Sequence, residues 1–161
     1  MNKSCLPSLV ALLVFGLWGL PPLHAAELTI TQLEDVDLGE VAPTVRRIQQ
    51  RTRFCVSSTP DGPFQLTALG SGSAGEFVLS GGAGIPSEIE FSVYASSRGA
   101  RRGRALVPGV ARGGYMARSP RPDGSCRPPF TMMTIVIDPS TVQSVPGGRY
   151  WGTLQLTVGP E

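Results

Sequence analysis

Apolar residues recur at every second position through almost the whole of this sequence, and that regularity restricts the fold more than any other feature. Leu28 and Ile30 alternate with Thr29 and Thr31, Phe54 and Val56 flank Cys55, and Phe64, Leu66 and Ala68 alternate with Gln65 and Thr67. Phe77 and Leu79 follow, then Ile89, Phe91 and Val93 set against Glu88, Glu90 and Ser92, then Met133, Ile135 and Ile137. Tyr150, Gly152, Leu154, Leu156 and Val158 close the series, interleaved with Thr153, Gln155 and Thr157. A period of two marks strands with one buried face. No stretch has a helical period, so an all-β chain with seven strands is expected.

Turn-forming runs separate the strands: Pro60-Asp61-Gly62-Pro63, Gly70-Ser71-Gly72-Ser73-Ala74-Gly75, Gly81-Gly82-Ala83-Gly84 and Pro146-Gly147-Gly148. With 20 Gly and 15 Pro in 161 residues, the composition argues against a helical bundle and favours short strands joined by many turns. That spacing predicts a single antiparallel β-sandwich domain.

Residues 1–26 have the layout of a secretory signal. Lys3 supplies the positive start, residues 9–20 an apolar run, and Ala25 and Ala26 the small residues after Pro21-Pro22. The run is shorter than the roughly 20 apolar residues a membrane-spanning helix needs. Cleavage is expected after Ala26 or Ala25, leaving residues 27–161 as an exported domain. The only Lys, Lys3, and the only His, His24, belong to the removed segment.

Export changes the reading of the cysteines, because loss of Cys5 leaves Cys55 and Cys126 in a compartment where disulfides persist. One bridge between them is the expected state. It would close a loop for which the chain-entropy model gives roughly 4 kcal/mol. Two free thiols or a metal pair is the competing reading, although two cysteines without a histidine do not make an ordinary tetrahedral zinc site.

Residues 96–129 depart from the alternation and carry eight arginines: Arg98, Arg101, Arg102, Arg104, Arg112, Arg118, Arg121 and Arg127, opposed only by Asp123. The segment is read as a long, largely solvated loop, with an irregular strand around residues 106–110. Clustered positive charge invites a nucleic-acid reading. Tyr115 is its single aromatic, however, so a stacking platform is missing and nucleic acid is not an expected partner. An anionic surface or polysaccharide at Arg98, Arg101, Arg102 and Arg104 is the alternative.

Catalysis is not expected. Without His or Lys in the exported domain there is no ordinary general base for a Ser or Cys nucleophile and no Schiff-base lysine. Glu88 and Glu90 form a carboxylate pair, but two positions apart on a strand they read as the polar face of a sheet. The glycine runs lack the Lys-Ser/Thr step of a phosphate-binding loop. No cofactor or metal is expected.

Three runs of residues resemble a known family. Val36-Asp37-Leu38-Gly39, Phe54-Cys55-Val56-Ser57-Ser58 and Pro63-Phe64-Gln65-Leu66-Thr67-Ala68-Leu69-Gly70-Ser71-Gly72 are similar to the spore coat protein U domain, the subunit type of archaic chaperone-usher pili. Ile85-Pro86 before Ile89 fits as well. The run from Pro146 through Tyr150-Trp151-Gly152-Thr153-Leu154 to Val158 looks like that family's closing strand.

The resemblance implies an immunoglobulin-like sandwich that lacks its last strand and is completed by a strand from a periplasmic chaperone and later from a neighbouring subunit, after passage through an outer-membrane usher. Tyr150, Gly152, Leu154, Leu156 and Val158 would then form the edge of an acceptor groove, with no strand pattern after Val158 to cover it. Leu28 and Ile30 form a short candidate donor, with residues 36–39 as the domain's own first strand. The family's frequent extra cysteine near the first strand is absent, and the arginine-rich segment is unusually basic; these departures from an ordinary shaft subunit leave room for a minor or tip one. The second function class is a free-standing secreted sandwich that binds a ligand through its arginine-rich loop.

Overall fold

The computed structural model describes residues 27–42, 47–97 and 103–161. The expected signal segment lies outside the described residues, as do Arg98, Arg101 and Arg102. The chain runs β1 (Glu27–Thr31), β2 (Ile48–Thr59), β3 (Gly62–Leu69), β4 (Val78–Gly81), β5 (Glu88–Glu90), β6 (Ser92–Ser96), β7 (Arg104–Ala105), β8 (Arg112–Ala117), β9 (Thr131–Ile137), α1 (Pro139–Gln143), β10 (Tyr150–Trp151) and β11 (Gln155–Pro160). The strands form an all-β sandwich. One layer is the sheet β1-β2-β9-β6-β7, and the other is built from two smaller sheets, β11-β3-β8 and β10-β4-β5. All of these strand pairs are antiparallel.

The alternation read from the sequence is the alternation of burial. In β3, Phe64, Leu66 and Ala68 are fully buried while Gln65 and Thr67 between them are not. Val93, Met133 and Ile137 from the first layer meet Phe64, Leu66, Leu79 and Ile89 from the second in one core. Phe64 stacks obliquely on Tyr115 at 5.4 Å between ring centres, and Phe77 on Phe91 at 5.7 Å. Offset aromatic pairs at such distances add to the burial of their area.

Two expected strands are each divided, because the chain changes sheets within them. Glu88–Glu90 pairs with β4 and Ser92–Ser96 with β9. Phe91 lies between them with its N–H donating to Phe77 O at 2.9 Å. Likewise Tyr150–Trp151 pairs with β4, whereas Gln155–Pro160 pairs with β3. An alternation continues unbroken through such a crossover, since both sheets bury toward the same core.

The segment 96–129 differs most from expectation. It contains β7 and β8, and β8 pairs with β3, with Tyr115 and Ala117 buried. The strand lies at Arg112–Ala117, not around residues 106–110, where Gly109 (φ +71°) and a bond from Val110 N–H to Val107 O at 3.1 Å make a turn. Gly113 and Gly114 had hidden the pattern, leaving only Tyr115 and Ala117 as its inward pair. Residues 36–39 are not a strand either. The domain's first strand is β1, paired with the second half of β2 in the register Glu27 to Thr59 through Thr31 to Cys55. The first half of β2, from Ile48 to Phe54, pairs with β9 instead.

Candidate functional site

Leu156 and Val158 in β11 lie directly opposite Ala68 and Leu66 in β3. Residues directly opposite in an antiparallel pair share a face, so all four point into the sandwich. Ala68 and Leu66 are completely buried, yet Leu156 and Val158 are only half-buried, as are Leu154 and Tyr150. The difference comes from position in the sheet. β3 has a neighbour on each side, whereas β11 has β3 on one side and, among the described residues, no strand on the other.

Along this flank runs an open groove of about 460 Å³. Its floor is the apolar core, reached at Leu79, Phe91, Met133 and Ile135; one wall is the closing segment from Tyr150 to Leu156. The other wall is residues 33–39, which cross the flank as a strap. The strap leaves β1 at Gln32, whose φ of +60° turns the chain off the sheet. It is tied down again where Val41 and Gly148 exchange backbone hydrogen bonds of 2.9 Å in both directions. Between these points Val36 and Leu38 pack against the core, while Glu34, Asp35 and Asp37 face solvent. Asp37 accepts the Gly39 N–H at 2.8 Å, forming a local turn. Among the described residues no strand pairing engages residues 32–40.

The residues expected at an acceptor edge thus line the groove, with Val158 farther along the same strand. Trp151, 60% exposed, and Leu33, 48% exposed, stand at its mouth. The sequence alternation marks the wall but not the strap, because Val36 and Leu38 alternate as a strand would while the backbone leaves the sheet at Gln32. Leu28 and Ile30, the candidate donor, are paired with Ser58 and Val56 of the same chain and pack on its core. They are this domain's own first strand.

Cys55 and Cys126 are joined, with Cα atoms 5.9 Å apart. The bridge fastens the segment before β9 to the point in β2 where pairing passes from β9 to β1.

Three of the described arginines of the basic segment tie parts of the fold together. Arg104 Nη1 donates to Gly113 O at 3.0 Å and Arg112 Nη2 to Ala105 O at 3.2 Å, so each of β7 and β8 holds the other's backbone. Arg118 pairs with Asp61 at 3.0 Å. Asp61 also accepts the backbone N–H and the hydroxyl of Ser119. The Ser119 backbone bond, with Arg118 and the Ser119 hydroxyl, lowers the Asp61 pKa to about 2. Among the described residues the buried Tyr115 hydroxyl has no hydrogen-bond partner, and its burial pushes the phenol pKa up.

No protein-family model matches this chain, and no curated protein sequence does. Among solved structures, it is similar to a chain in one described as a chaperone-tip adhesin complex vital for synergistic activation of CFA/I fimbriae biogenesis. The TM-score is 0.55 at 16% identity, over 85% of this chain and 43% of that one. This chain therefore spans under half the length of its neighbour, and at that identity the likeness is one of fold. Among the described residues no helix is long and apolar enough to cross a membrane.

Proposed function

We propose that this protein is a structural subunit of a surface pilus, completed by a strand supplied by another chain. The observation that carries the reading is the half-buried inward face of β11 beside an unpaired strand edge. An edge with free backbone donors and acceptors is a template for pairing, and strand addition satisfies it while apolar side chains of the added strand fill the groove. The fold likeness to a fimbrial complex supports a pilus-related role. The spore coat protein U resemblance refines it to the chaperone-usher route, with export to the periplasm, a chaperone as first strand donor, an usher at the outer membrane and neighbouring subunits as later partners. The role is mechanical, with no catalysis.

Fusion tests the proposal. A peptide of alternating apolar residues attached after Glu161 through a flexible linker should raise the melting temperature by on the order of 10 °C, as several apolar side chains become buried. The unfused chain should be poorly stable. A stable unfused monomer whose melting temperature is unchanged by the fusion would remove the pilus reading in favour of a free-standing sandwich.

A further inference from the structure

The flank that leaves the groove open is also strongly acidic. Residues 27–42 carry five carboxylates, Glu27, Glu34, Asp35, Asp37 and Glu40, and no Lys, Arg or His. Three of them, Glu34, Asp35 and Asp37, line the groove itself, and among the described residues no basic one does. A strand seated between the strap and β11 would set its inward side chains on the floor at Phe91 and Ile135. Its outward side chains would then stand beside those three carboxylates, because successive residues of a strand point to opposite faces.

We infer that the groove selects a cationic strand from a different chain, an extended segment in which apolar residues alternate with Lys or Arg. The inference rests on the strand-accepting reading above and specifies its partner. Charge complementarity excludes the nearest alternative occupant, a second copy of this chain. The copy's alternating segment at Leu28 and Ile30 begins at Glu27 and continues into Glu34 and Asp35, so it would bring carboxylates against carboxylates. Like charges brought together oppose the wrong partner, whereas opposite charges steer the right one. A chain with such a rim and such an N-terminal segment pairs with unlike subunits rather than polymerising with itself.

Three synthetic peptides of identical apolar positions, carrying Lys, Ser or Glu at the alternate ones, test this against the whole protein. Trp151 at the groove mouth provides the fluorescence signal, and Trp151→Phe verifies its source, since Trp18 is the only other tryptophan. The Lys peptide should bind about tenfold more tightly than the Ser peptide at low salt, the sum of a few exposed ion pairs. The Glu peptide should be the weakest. Molar salt should compress the ranking, and Glu34→Gln with Asp35→Asn and Asp37→Asn should abolish it. Equal binding of the Lys and Ser peptides, or tightest binding of the Glu peptide, would overturn the charge selectivity while leaving strand acceptance intact. Binding by none of the three would overturn both.

Discussion

Leu156 stands directly opposite Ala68 across the β3–β11 pair, yet Ala68 is sealed from solvent and Leu156 is half open to it. The two share a face of one sheet, but β3 is flanked on both sides and β11, among the described residues, on one. An inward-facing leucine that stays wet is stabilised less than its composition allows. Leu66→Ala, at a fully buried position, should cost about 2 to 5 kcal/mol. Leu156→Ala should cost clearly less in the free chain, and its cost should rise toward that of Leu66→Ala once a donor strand is fused. Denaturant unfolding of six proteins, the wild type and each variant with and without the fused strand, measures this.

The disulfide sets a second expectation. Cys55 and Cys126 are 71 positions apart in sequence, and their bridge constrains the unfolded chain over that span. Cys55→Ser should cost about 2 to 5 kcal/mol, the range for native bridges in small secreted domains. Equilibrium unfolding under oxidising conditions checks it, with the reduced wild type expected to fall to the variant's level.

Gly152 marks the crossover from β10 to β11, and a Cβ there would stand 2.6 Å from the Val78 carbonyl oxygen. Backbone must move to admit it. Gly152→Ala should therefore lower stability by about 1 to 3 kcal/mol. A neutral result in thermal unfolding would mean that the two sheets are not locked together at this point.

Much of the sandwich was legible because burial follows side-chain period, as Phe64, Leu66 and Ala68 show. What escaped notice had a local cause in each case. The first half of β2 runs Gln49-Gln50-Arg51-Thr52-Arg53, held in the sheet by backbone pairing to β9 with hardly any apolar signal. Gly113 and Gly114 diluted β8, so the arginine-rich segment read as solvated although it buries Tyr115. Of the groove, the wall was legible and the strap was not. Val36 and Leu38 alternate like a strand, but Gln32 has turned the chain away from any partner.

The Asp61 clamp gives a pH dependence of definite sign. Its folded pKa, about 2, lies below the ordinary 3.8, so the folded chain binds this proton less readily than the unfolded chain. The clamp therefore stabilises above the ordinary value and its contribution disappears as pH falls through about 2. Asp61→Asn should lower the unfolding midpoint near neutral pH and make little difference at about pH 2. A difference that stayed constant across that range would assign the effect to packing.

Amide hydrogen exchange along β11 tests strand acceptance most directly. Between Gln155 and Gly159 the backbone alternately faces β3 and the open edge. In the free chain every second amide should exchange rapidly while its neighbours, bonded to β3, are protected. Fusion of a donor strand after Glu161 should protect the fast set and leave the slow set as it was. Protection of all these amides in the free chain, unchanged by the fusion, would show that the edge is already satisfied and would contradict the account.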